Sequence, residues 1–333
     1  MQKRSGILAQ LVVGLWVIAA IAAGLYFLAR RETPERIDYG MTFTKLQADE
    51  LGLNWRSVYV AALDDLGIRK FRLAAHWPMI EPERNKFNFE ALDFQVDEAT
   101  KRDAEIILAV GRRLPRWPEC HVPRWVGEMP WDEQKEELRE YITAVVDRYK
   151  DESAVVMWQV ENEPYLALFA YEHCGELDEE FLAEEVALVK ALDPSRPILV
   201  TDSGNLGLWH KPYRLGDAFG TSLYMYFWNP ELGQFKTRLP AVFYRMKANV
   251  MRIFGDKPVV LIELSAEPWL TDPMAATPIS TQLTRMDVEK FDEIIEYASR
   301  THFEEQYLWG VEWWYWMRER GHPEFWERAR RLY

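Results

Sequence analysis

The chain has 333 residues, 48% of them hydrophobic, and a formal net charge of −13. That apolar fraction can build a sizeable core and excludes a disordered chain. No basic stripe or Lys/Arg run occurs in the body of the sequence, which excludes nucleic acid as the main partner.

Residues 1–5 form a short tail. The next segment, "GILAQLVVGLWVIAAIAAGLYFLA" (6–29), carries no charge. At about 1.5 Å per helical residue it is long enough to cross a hydrocarbon core of about 30 Å. A cleaved signal peptide is the competing reading, because Ala20-Ile21-Ala22 mimics a cleavage site. The apolar run continues past that point, so the expectation is an uncleaved transmembrane helix, with the lipid bilayer as partner and the rest of the chain on the extracytoplasmic side of a single-pass membrane protein. Residues 30–38, including "RETPERID", read as a polar linker, and 39–333 as one domain.

From Tyr39 onward, short apolar strands alternate with amphipathic helices. Strands are expected at 39–43, 70–74, 105–110, 154–160, 197–201, 219–224, 258–264 and 307–314. Helical periodicity fills the gaps, as in "NWRSVYVAALDDLG", "FEALDFQVDEATKRD", "EQKEELREYITAVVDRYK" and "DVEKFDEIIEYASR", and a helix is also expected over "GNLGLWHKPYRLG" (204–216). Near-continuous apolar strands joined by helices indicate a parallel sheet covered by helices. Eight such units fit an α/β fold, a single (β/α)8 TIM barrel preceded by the N-terminal transmembrane helix. A doubly wound open sheet is the alternative, but no GxGxxG follows the first strand.

The fourth strand ends in "WQVENEP" (158–164), where Glu161, Asn162 and Glu163 follow an apolar run. Carboxylates are costly to bury without a partner or a chemical purpose. In a barrel this stretch lies at the C-terminal mouth, where active sites sit. The seventh strand ends in "VVLIELSAEPW", with Glu263 at its close and Glu267 in the following loop. A carboxyl pair across the mouth suffices for glycoside hydrolysis, one protonating the leaving oxygen and the other attacking the anomeric carbon or activating water. A divalent-metal site is the competing use of such carboxylates. There is no CxxC, no HExxH and no histidine beside these strand ends, so neither a metal nor another cofactor is expected.

"NEP" closing the fourth strand and "IEL" closing the seventh resemble the glycoside hydrolases of clan A, retaining (β/α)8 enzymes. "WQVENEP" is similar to the acid/base segment of families 42 and 35, with Pro164 where those families usually carry an aromatic residue. "FRLAAHWPMIEPERNKFNFEALD" (71–93) resembles their second βα segment, including its strand-end arginine and its tryptophan. The sequence stops after the eighth helix without their accessory domains, and in this it is more like family 5. The resemblance implies Glu163 as acid/base and Glu263 as nucleophile. Asn162 is then the partner of a sugar hydroxyl, Arg72 the arginine beside the nucleophile, and Trp77 a further substrate-binding residue. Tyr224 matches the tyrosine that touches the nucleophile, with Tyr226 as rival. Trp314 matches the tryptophan under the sugar at the end of the eighth strand, with Trp313 and Trp316 as rivals. The implied activity is hydrolysis of O-glycosidic bonds in an oligosaccharide or polysaccharide. A transglycosylase, or a carbohydrate-binding barrel without turnover, uses the same residues.

Glu161 reads as a structural ion-pair member, and Glu267 as a rim residue that binds substrate or pairs with a loop arginine. The long loop "GRRLPRWPECHVPRWVGEMPW" (111–131) is too polar for core, and such loops commonly shape binding sites. Trp117, Trp125 and Trp228 are candidate sugar platforms or loop packing. His76 and His121 are sugar contacts or satisfied loop histidines. Cys120 and Cys174 fall in loops on the same face and either pair, if the domain is exported, or stand as free thiols.

Overall fold

The computed structural model describes residues 2–29 and 33–333, with side chains at 12–27, 29, 33–166 and 171–333. Among the described residues ten strands are present, in chain order: β1 Asp38–Thr42, β2 Lys70–Ala74, β3 Glu105–Val110, β4 Val155–Val160, β5 Ile198–Asp202, β6 Ala218–Leu223, β7 Tyr226–Asn229, β8 Gly233–Lys236, β9 Val259–Ser265 and β10 Glu305–Trp309. Eight of them close a parallel barrel in the order β1-β2-β3-β4-β5-β6-β9-β10. The other two, β7 and β8, form an antiparallel hairpin after β6.

Strand alternation builds two different surfaces. Outward side chains such as Phe71, Leu73, Trp158, Val160, Phe219 and Leu261 join the large core between barrel and helices. Inward side chains Ile107, Leu199, Ala218, Val260, Ile262 and Tyr307 form a separate apolar plug, with Met157 against it. Gly40 makes room there, since a Cβ on it would collide with the Tyr307 ring. Toward the C-terminal ends of the strands the inward positions become polar. Arg72, Gln159, Thr201 and Ser222 are all buried there.

The helices start where local chemistry allows. Asn54 accepts a bond from the backbone N–H of Ser57 at 3.2 Å to open helix Trp55–Asp64, and Asp287 accepts from Lys290 at 2.8 Å to open Val288–Ser299. Each such cap satisfies an amide that would otherwise be unpaired.

Two expectations need correction. The eighth barrel strand is shorter than 307–314: Gly310, at φ 130°, ends it, and Val311–Arg318 is a helix. The run "VEWWYW" has strand-like composition, but Val311, Trp314 and Met317 lie on one buried helical face. The helix expected over 204–216 is confined to His210–Leu215. At the N-terminus, Gln2–Ala29 is helical, yet among the described residues no helix is long and apolar enough to cross a membrane. Described side chains of that helix begin at Val12, so the start of the expected span, 6–11, has side chains outside the described residues, as linker residues 30–32 do altogether.

Candidate active site

The end of β4 makes an abrupt change of direction. Glu161 and Glu163 both have positive φ, 56° and 44°. Such conformations cost non-glycine residues on the order of 1–3 kcal/mol and persist only where neighbours hold them. Here the Glu161 N–H donates to the Val110 carbonyl at 3.0 Å, the Asn162 N–H to the Arg113 carbonyl at 2.7 Å, and the Glu163 N–H to the Thr201 hydroxyl at 2.8 Å.

The turn sends the two glutamates to different places. Glu161 accepts from the backbone N–H groups of Arg112 at 2.8 Å and Arg113 at 2.6 Å, so its partners are amides rather than the ion pair expected. Gly111 is required beside it: its φ is 123°, and a Cβ would strike the Glu161 carboxylate. Glu185 is buried against Glu161, and burial together with that neighbouring charge pushes its carboxyl well above the usual range.

Glu163 instead joins the inward polar layer. It is 4% exposed, and its Oε1 has no hydrogen-bond partner among the described residues. Burial, followed by the charges of Glu263 and Glu119, pushes its carboxyl well above the usual range. This is the condition of a general acid near neutral pH.

Glu263 is brought to the same chamber by a β-bulge. Regular alternation places it with Leu261, on the outward face. Pairing of β9 with β6 runs Thr221↔Leu261 then Ser222↔Glu263, and pairing with β10 runs Gln306↔Leu261 then Leu308↔Leu264. The extra residue re-aims Glu263 inward, as bulges beside active sites commonly do. There Arg72 Nη1 donates to its Oε1 at 2.7 Å and the Tyr224 hydroxyl to its Oε2 at 2.9 Å. Burial, Glu263 and Glu163 hold the Tyr224 phenol well above its ordinary pKa, so it stays a donor. Arg72 also donates through Nε to Gln159 Oε1 at 2.8 Å and through Nη2 to Asn162 Oδ1 at 2.6 Å. One fully buried guanidinium thus ties β2, β4 and β9 together.

Among the rivals, the hydroxyl of Tyr226 bonds Glu293 on the outer side, leaving Tyr224 at Glu263. Glu267 pairs with Arg116 of the long loop and accepts from Trp309 Nε1 at 2.7 Å, the rim arrangement expected for it. Trp314 is fully buried in helix Val311–Arg318, where its Nε1 donates to the Ala266 carbonyl at 2.9 Å and its ring meets Phe291. It does not lie at a strand end. Trp313 is buried against Phe325, and Trp316 lies under Arg320. Trp309 ends the strand instead, on the inward side with Tyr307, partly open and with Arg116 over its ring. The signal missed was the glycine after "YLW", which stops the strand. Trp77 is also corrected: it is fully buried, stacks on Tyr141 and donates to Glu81 at 2.9 Å, which removes it from substrate contact.

The loop 111–131 is fastened to the β4 loop by a Cys120–Cys174 disulfide, with Cα atoms 5.3 Å apart. Trp117 is 63% exposed. Trp125 packs against Trp77 and bonds the Glu81 carbonyl, while Trp228 lies under Arg285. His76 and His121 are buried, 4.4 Å apart between ring centres, and bond the carbonyls of Pro115 and Arg116. Both are satisfied loop histidines. Glu119, in the same loop, was not anticipated as a site residue; only tertiary structure brings its charge to bear on Glu163 and Glu263. Among the described residues no group of three or more His, Cys, Asp or Glu side chains is placed to hold a metal ion.

A model of the glycoside hydrolase family 42 β-galactosidases matches residues 58–241, more than half of the chain. The matched span contains Arg72, Asn162, Glu163 and Tyr224, and ends before Glu263. The chain is 29% identical over 122 residues to β-galactosidase Bga of Halorubrum lacusprofundi, covering 31% of this chain and 17% of that protein. It is 27% identical over 144 residues to endo-1,4-β-xylanase 1 of Gibberella zeae, covering 39% and 36%. These alignments span well under half the length of either relative. A family 5, subfamily 18 glycoside hydrolase structure from Bifidobacterium longum shares the fold, with a TM-score of 0.58 at 14% identity over 83% of this chain and 70% of that one.

Proposed function

The chain belongs to the glycoside hydrolase family 42, and from that membership we propose that it is a retaining β-glycosidase acting by double displacement. The observation that carries the reading is the contrast between two buried carboxyls. Glu263 receives hydrogen bonds from Arg72 and Tyr224, which suit an ionised nucleophile, while Glu163 has an unpartnered oxygen and a raised pKa, which suit a protonated acid. In the first step the Glu263 carboxylate attacks the anomeric carbon as the Glu163 proton passes to the departing oxygen. In the second, Glu163 takes a proton from water, whose oxygen attacks that carbon and frees Glu263.

Asn162 is held by Arg72 with its amide at the same chamber and is proposed to bond a hydroxyl of the sugar at the scissile bond. Trp309 replaces Trp314 as the proposed floor under that sugar, and Trp117 is the proposed platform further out. The name of the family and of one relative favours a β-galactoside as glycone. Membrane attachment through 6–29 is proposed on its 24 uncharged residues, and an extracytoplasmic position on the disulfide, which persists in oxidising compartments. Release of the full-length protein by a carbonate wash would refute the anchor.

The test is a screen of aryl β-galactosides, xylosides, mannosides and glucosides, with the anomeric form of the first product followed by NMR. Retained configuration is expected, with kcat/KM falling as pH rises through the raised pKa of Glu163. Inverted product would overturn the mechanism, and no turnover of any glycoside would favour the carbohydrate-binding reading.

A further inference from the structure

Trp309 is partly open at the end of β10, where a ring turns about its side-chain bonds unless its neighbours stop it. Two contacts grip it. Its Nε1 donates to Glu267 Oε1 at 2.7 Å, and the guanidinium of Arg116 lies over the ring with Cζ 4.3 Å from the ring centre. A single hydrogen bond at the edge fixes where the ring ends but leaves its plane free. A flat cation against one face fixes the plane.

Arg116 is itself firmly held. Nη1 and Nη2 both bond Glu267, the second at 3.4 Å, while Nη2 also reaches Glu312 Oε2 at 3.0 Å and Nε reaches Thr44 Oγ1 at 3.4 Å. Glu312 is fully buried and accepts in addition from the Thr44 N–H at 2.6 Å. One residue of the loop after β3 is thereby tied to the segments that follow β1, β9 and β10. Its backbone, at φ 92°, is pinned as well. His76 bonds the Pro115 carbonyl and His121 the Arg116 carbonyl, each at 3.0 Å, and the Arg116 carbonyl also accepts the Glu119 N–H at 2.7 Å. The two buried histidines thus hold the point at which Arg116 leaves the loop, and the Cys120–Cys174 disulfide closes that loop a few residues on.

We infer that Arg116 is a positioning residue: it fixes the plane of Trp309 and, by covering one face of the ring, leaves only the opposite face for the sugar. The inference rests on Trp309 as the floor proposed above. Charge balance alone does not call for this arrangement. A lysine would answer Glu267 and Glu312 with a point charge, whereas a guanidinium meets Glu267 with two nitrogens while its flat face lies on the indole. The side chains of Arg116 and Glu267 are 7% and 10% exposed, so water competes little for either.

The experiment compares the native chain with Arg116→Lys, Trp309→Ala and the double variant on one aryl glycoside of the preferred glycone, with thermal midpoints recorded for each. Lysine keeps a positive charge opposite Glu267 and Glu312, which guards against a fold lost to two unpaired buried carboxylates. Arg116→Lys should lower kcat/KM roughly 3–10-fold, mainly by raising KM. Trp309→Ala should lower it about 10-fold or more, and in that background Arg116→Lys should change it by no more than about twofold. A purely structural arginine predicts that its factor is repeated in full whether or not the indole is present. That result, or native kcat/KM in Arg116→Lys, overturns this inference and leaves the floor in place. Native KM in Trp309→Ala removes the floor, and the inference with it.

Discussion

The interior of the barrel has a lower and an upper storey built on the same eight strands. Below, Ile107, Leu199, Val260, Ile262 and Tyr307 fill the space with apolar volume. Above, Arg72, Gln159, Thr201, Ser222, Glu163 and Glu263 fill it with polar groups, nearly all tied to one another. The lower storey is held by burial, which is non-directional and tolerant of shape. The upper is held by bonds whose partners cannot be removed singly without leaving a buried charge exposed to loss. The lower storey therefore supplies apolar burial, and the upper holds the chemistry.

The sharpest division comes from Glu263→Ala, which should lower kcat on the order of 10⁵-fold while leaving the fold intact by circular dichroism. Added azide should then give an inverted glycosyl azide from an activated glycoside. If Glu267→Ala shows that rescue and Glu263→Ala does not, the nucleophile has been misassigned. In the opposite direction, Ile262→Ala should cost about 2–5 kcal/mol in denaturant unfolding, with kcat per folded molecule within a few-fold of native. A large kcat loss there at full folding would erase the distinction between storeys.

Tyr224→Phe removes one of two donors to Glu263, a charge-assisted bond of about 1.5–3 kcal/mol. A kcat/KM loss of roughly 10–100-fold is expected, against no measurable effect from Tyr226→Phe. Equal effects from the two would show that the tyrosine at β6 does not act through Glu263. The smallest effect expected is from Trp309→Phe, which keeps an aromatic face but removes the donor to Glu267. Loss of about 1 kcal/mol in stability, with KM raised more than kcat is lowered, would fit a sugar floor. The same KM change from Trp314→Phe would return that role to the helix.

Histidine protonation gives a pH-dependent comparison of loop with barrel. Burial, with His121 adjacent, holds His76 down at about 3 against an ordinary value of 6.5. A depressed pKa means the stabilisation is complete above about 6.5 and is lost as pH falls toward 3. The loop should therefore loosen in acid before the barrel does, seen as earlier exchange of amides in 111–131. Simultaneous exchange throughout would refute that order.

Much of this was legible from the chain alone. Apolar runs of strand length separated by helical periodicity carry the barrel, because burial on both faces demands continuous hydrophobicity whatever the neighbours are. Two glutamates ending the fourth and seventh strands carry the site's location, because the strand ends of this fold meet at one mouth. What the chain alone could not yield depended on backbone details with no local code. The bulge that turns Glu263 inward exists only in the pairing of β9 with both neighbours. The positive φ values that part Glu161 from Glu163 are sustained by Val110, Arg113 and Thr201, each from another segment. Trp309 and Trp314 have similar aromatic surroundings in sequence, and a single glycine between strand and helix sends one into the mouth and the other into the core. Composition and period are properties of a segment, so sequence determined the architecture; orientation of a side chain at a strand end is a property of its contacts, so only the tertiary structure decided it.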